Sequence, residues 1–145
     1  MDQQQEDGNT LPPKIINQDI SFRYDRLSDR SHNVTAAINS AGEVVFNEGM
    51  YYPRMGSSES REVDEYATVA TEHRERLLQA LLTSISRSLL PPLLQSGADL
   101  AVDQRLFLAL RAYAQARQFQ SLDAITGWLK HHNIPYKYSK WIDID

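Results

Sequence analysis

The order of apolar and polar positions divides the chain into an alternating first half and a helical second half. In Ile20-Ser21-Phe22-Arg23-Tyr24-Asp25 apolar and polar residues alternate strictly, which predicts a half-buried strand with Ile20, Phe22 and Tyr24 facing the core. Asn33 to Asn39 repeats the pattern, Ser40-Ala41-Gly42 supplies a short turn whose glycine can take a positive φ, and Glu43 to Phe46 starts the return strand. That strand can continue through Gly49 to Tyr52, with a bulge expected at Gly49, and Pro53 should end it. After the flexible connection RMGSSESR comes the densest signal in the chain, EVDEYATVATEHRERLLQALLTSISRSLL, from Glu62 to Leu90. Its apolar positions fit one long amphipathic helix. Against that reading, EYATV contains an aromatic and two β-branched residues, and Thr71 is a good N-cap ahead of Glu72 and Glu75. We therefore expect a strand to about Val69, edge-capable and acidic, then a helix from Thr71 to the prolines Pro91-Pro92, supported by a Glu72–Arg76 pair.

Beyond the prolines, Asp99 or Asp103 can cap a helix whose apolar stripe is Leu106, Leu110, Tyr113 and Ala114. Ser121 followed by Asp123 caps a shorter one that buries Leu122, Ile125, Trp128 and Leu129, and Asn133 is placed for a left-handed cap before Ile134-Pro135. Tyr136 to Ile142 alternates again, with Trp141 opposite the Tyr136/Tyr138 face, and reads as a final strand. These elements predict an α+β fold: an antiparallel sheet of about four N-terminal strands, three helices on one face, and a C-terminal strand returning to the sheet. Residues 1–14, rich in glutamine and acids and closed by Pro12-Pro13, are expected to be a disordered tail, leaving 15–145 as a single domain.

Composition narrows the function classes. The chain of 145 residues is the size of one domain. It has no cysteine, which excludes disulfides, thiolate metal sites and a cysteine nucleophile. The formal net charge is -4, and the acidic excess sits in the N-terminal tail and around the central stretch. Arg105, Arg111 and Arg117 recur at a spacing that scatters them around a helix, so no basic face for nucleic acid is expected. No apolar run approaches the roughly 18 residues of a membrane span, and MDQQQEDGN is not a signal peptide, so a cytoplasmic location is the expectation. On that basis the glycosylation sequon Asn33-Val34-Thr35 is coincidental.

Candidate chemistry is sparse. His32 lies near Ser28, Asp29 and Ser31 in what reads as turn composition. His73 lacks the second histidine of a zinc-protease helix. His131 and His132 are adjacent, hence about 100° apart on a helix, and would need Asp143 and Asp145 to complete a metal site. The scattered glycines build no phosphate loop. No catalytic residue, metal ligand or cofactor is assigned. The acids Glu59, Glu62, Asp64 and Glu65, with Tyr51 and Tyr52, are the candidate contacts for a basic protein partner, because charge steers association and aromatics anchor interfaces.

EVDEYATVATEHRERLLQALL and the closing pattern of Trp128-Leu129, His132, Ile134-Pro135-Tyr136 and Trp141 resemble small bacterial proteins of the immunity type, which neutralise polymorphic or contact-dependent toxins by binding them. The resemblance spans Glu62 to Trp141 and implies an α+β binding module, not an enzyme, whose partner is a cognate toxin with a basic surface. Two other classes compete: a small metal- or histidine-dependent hydrolase or nuclease using His32 or His131/His132, and a structural or adaptor subunit of a phage or secretion assembly.

Overall fold

The computed structural model describes residues 2–6, 19–54, 56, 59–96 and 99–144. The strands are β1 (Asp2–Glu6), β2 (Ile20–Arg26), β3 (Ser31–Ile38), β4 (Val44–Tyr52), β5 (Arg61–Val69) and β6 (Lys137–Ile144). The helices, all between β5 and β6, are α1 (Arg74–Thr83), the single turn α2 (Pro92–Gln95), α3 (Val102–Gln115) and α4 (Leu122–His131). One six-stranded sheet runs in the order β1-β6-β5-β4-β3-β2, every neighbour antiparallel. The α+β class, the four-strand meander and the returning C-terminal strand are as expected.

The β3–β4 hairpin turns where expected. Gly42 adopts φ 81, which a side chain would disfavour. Fully buried Asn39 holds the turn, its Oδ1 accepting from the Ala41 and Glu43 N–H groups at 3.0 and 2.9 Å. This is an Asx-type turn, local bonding that favours Asn at such positions. The bulge foreseen at Gly49 is absent, since β4 pairs without interruption with both β3 and β5. The register shift lies in β2, between Ser21 and Arg23. It keeps Ile20 and Phe22 buried while turning Tyr24 outward, 62% exposed, away from the core face expected for it.

One face of the sheet is covered. Val34, Ala36, Val44, Phe46, Ala67 and Val69 meet Leu77, Leu81, Leu106, Leu110, Ile125 and Leu129 from the helices in one core. Phe119, in the loop between α3 and α4, closes one end: it stacks on Tyr113 (ring centroids 4.8 Å) and meets Phe22 and Trp128 edge-on. It holds φ 58, unusual for a bulky residue, and these ring contacts secure it there.

Several boundaries differ from expectation. Thr71 does not cap α1: a 3₁₀ turn, Thr71–His73, precedes the helix, and the Thr71 hydroxyl donates to the Ala41 carbonyl, tying the helix entry to the β3–β4 turn. α1 stops at Thr83, well before Pro91-Pro92, where the Thr83 hydroxyl donates to the Gln79 carbonyl at 2.9 Å and competes with the helical ladder. The prolines begin α2 instead, Pro92 filling a first-turn position that needs no N–H donor. Ala101, not Asp99 or Asp103, precedes α3, with Gln104 Oε1 accepting the Ala101 N–H, while Asp103 pairs with Arg74. Arg76 reaches the Asn133 carbonyl instead of Glu72. Ser121 caps α4 as expected, accepting from the Ala124 N–H at 3.0 Å, and Asn133 takes the left-handed conformation at φ 56.

At the N-terminus the expected disordered stretch 1–14 is corrected over Asp2–Glu6, which forms β1 by pairing with β6. An edge strand is held by main-chain hydrogen bonds, so a run without apolar residues suffices there. The remainder of that stretch lies outside the described residues. Because β6 inserts beside it, the edge-capable β5 is an interior strand.

Candidate functional site

Strand parity decides which candidate residues meet. Ala67 and Val69 of β5 point into the core, so Glu65 and Val63 share the helix side, while Glu62, Asp64, Tyr66 and Thr68 share the opposite face. Register then places Glu62 between Tyr51 and Asp143, and Asp64 between Gly49 and Trp141. Asn33 lies across Gly49 on β3, and Tyr24 beside Asn33 on β2. At the end that holds Glu62 and Asp64 this face is open, with Tyr24 and Tyr51 exposed, while toward the β3–β4 turn Ala37 and Val45 of the same face are buried.

Of the expected contacts, Glu62, Asp64 and Tyr51 come together on the open face. Glu65 and Tyr52 do not: Glu65 faces the helix side, opposite Glu48 and Lys140 in register, and the Tyr52 ring lies 5.8 Å from the Arg61 guanidinium. Glu59 is exposed in the connection before β5, outside the strand pairing.

The open face forms a pocket of ≈ 280 Å³ whose lining includes Tyr24, Asn33, Gly49, Tyr51, Glu62 and Asp64. Gly49 is its floor. A Cβ built there would lie 2.6 Å from both Asn33 Oδ1 and Asp64 Oδ1, closer than real Cβ atoms come to neighbours. The absence of a side chain at Gly49 therefore lets two acceptor groups from flanking strands lean over the middle one. Asn47 steadies Asp64 from β4, its Nδ2 donating to Asp64 Oδ1 at 3.2 Å and to the Glu65 carbonyl at 3.1 Å.

Negative charge accumulates here without matching cations. The ion pairs among the described residues are Arg23–Asp25, Asp29–Arg30, His32–Glu48 and Arg74–Asp103, none of which includes Glu62, Asp64 or Asp143. A hydrogen bond with the Asp64 side chain, then burial, then the Asp64 charge push the Glu62 carboxyl up to about 7. Burial, with the Asp64 and Glu62 charges, raises the Tyr66 hydroxyl well above the usual phenol range. Asp143 Oδ1 is buried and has no hydrogen-bond partner among the described residues. These are the electrostatics of a face short of positive charge.

The histidines are occupied elsewhere. His32 is not in a turn but in β3, its Nε2 2.5 Å from Glu48 Oε2 on the helix side. His132 packs on Trp128, ring centroids 4.4 Å apart, with Nε2 3.2 Å from Ser84 Oγ. Among the described residues no group of three or more His, Asp or Glu side chains is arranged to hold a metal ion. No helix among them is long and apolar enough to cross a membrane.

Asn33, Gly49, Tyr24 and Asp143 were missed as members of this face. A signal for the first pair existed: a turn at Ser40-Ala41-Gly42 that sets Ile38 against Val44 also sets Asn33 against Gly49. Compared with protein-family models, curated proteins and solved structures, the chain shows no match.

Proposed function

We propose that this chain is a non-catalytic protein-binding module of the immunity type, which neutralises a toxin by seating a basic surface of it on the open face of the sheet. One observation carries the reading: Glu62 and Asp64 stand side by side at the exposed end of this face, with no cation paired to them among the described residues. Carboxylates crowded in this way repel each other, and a cationic partner relieves the repulsion. Tyr24 and Tyr51, 62% and 44% exposed, flank the acids with the residue type that most often anchors an interface. The core contributed by the helices lies on the other face of the sheet.

The test is protection in a growth assay. The product of the gene directly upstream is expressed with this chain or with its Glu62→Lys/Asp64→Lys variant. Growth restored by the native chain and lost with the double reversal is the expected result. Absence of toxicity from the neighbouring product, or protection by the variant equal to that of the native chain, would overturn the reading.

A further inference from the structure

We infer that the pocket over Gly49 is a receptor for one guanidinium group, an arginine side chain of the partner; the inference rests on the open face being the docking surface. The pocket, ≈ 280 Å³, is a concavity lined from four strands of the sheet. Its floor presents Asn33 Oδ1 and Asp64 Oδ1 from opposite sides of Gly49, both within 2.6 Å of one point, the position of the missing Cβ. Two acceptors converging on one space call for a ligand with several donors. Asn47 donates to that same Asp64 Oδ1, which fixes the carboxylate over Gly49 and leaves the second lone pair of Oδ1 and the Oδ2 oxygen as the acceptor capacity turned to a ligand.

Arginine fits better than lysine on chemical grounds. A guanidinium is planar, offers five N–H donors in a rigid fork, and stacks on aromatic rings, whereas an ammonium is a compact, strongly hydrated point charge. Tyr24 and Tyr51 supply rings at the pocket wall, and the Glu62 carboxyl, hydrogen-bonded to Asp64, lies at the rim.

The experiment is a titration of the isotope-labelled full chain with N-acetyl-arginine methylamide, followed by amide NMR. The lysine and citrulline counterparts and calcium chloride are run alongside. The expected result is saturable shifts at Asn33, Gly49 and Asp64 with arginine, weaker by about fivefold with lysine and absent with citrulline. Asp64→Asn, which keeps the shape of the site, should weaken arginine binding about tenfold. Gly49→Ala should abolish it, with resonance dispersion confirming that each variant is folded. Citrulline equal to arginine, calcium saturating these same resonances in place of arginine, or an Asp64→Asn variant that binds normally would overturn the inference. Arginine binding with protection unaffected by the double reversal would remove the docking reading and retain a guanidinium site. Protection lost on reversal, without arginine binding, would do the opposite.

Discussion

Glu48 and Asp64 occupy neighbouring strands one register step apart, on opposite faces of the sheet, and they are treated in opposite ways. Glu48, beneath the helices, is met by donors: the Leu122 N–H at the start of α4 reaches Oε1 at 2.7 Å, and His32 Nε2 lies 2.5 Å from Oε2. Asp64, on the open face, receives the Asn47 amide and stands beside another acid. The covered face answers the charge it encloses and uses it to pin a helix to a strand. The open face leaves Glu62 and Asp64 without a cation among the described residues, which costs stability.

The sharpest way to break the contrast is to cut both faces of one strand. Phe46→Ala, in a fully buried position of β4, should lower stability by about 3–5 kcal/mol in urea unfolding. Next in size, Glu48→Ala removes the acceptor for both Leu122 and His32 and should cost about 1–3 kcal/mol, with faster amide exchange in the first turn of α4. A normal exchange rate there would show that the carboxylate does not anchor the helix.

A smaller effect, and one of distinctive sign, is expected at Glu62. Its carboxyl is pushed up to about 7 in the folded chain from the usual 4.5, so between those values the folded chain holds a proton that the unfolded chain has released. Stability from this group is thus present below the unfolded value and is lost as pH rises through about 7. Glu62→Gln should flatten that decline, giving a variant at least as stable as the native chain at pH 8. A native midpoint that rises from pH 5 to pH 7.5 relative to the variant would contradict the sign. The smallest effect belongs to Tyr51→Ala, on the open side of β4, which should move stability by no more than about 0.5 kcal/mol. The same change should still weaken partner binding.

Much of this arrangement was legible in the residues because short links leave little freedom. The β2-to-β5 meander follows from alternation and from the Gly42 turn, and α4 from Ser121. Parity within β5 was legible too, and it should have separated Glu65 from Glu62 and Asp64 at once. What failed were choices settled by tertiary contacts. Thr71 has an N-cap side chain, but its hydroxyl found the Ala41 carbonyl. Asp2–Glu6 carries no strand pattern, yet it pairs with β6. Asp143 joins the acidic face through a strand that returns after four helices, a connection whose register no local rule determines.

That late return also orders the assembly of the molecule in time. β2 to β5 close through short turns, whereas β6 finds β5 only after the whole helical segment has been gathered, with Thr68 meeting Lys137. Closing so long a loop loses more chain entropy and slows the contacts that depend on it. The expected folding sequence is therefore meander first and β6 last, with β1 unable to pair before β6 is in place. Asp64 thus acquires its neighbour Trp141 late, so a chain caught earlier would carry a formed covered face and an unfinished opposite face.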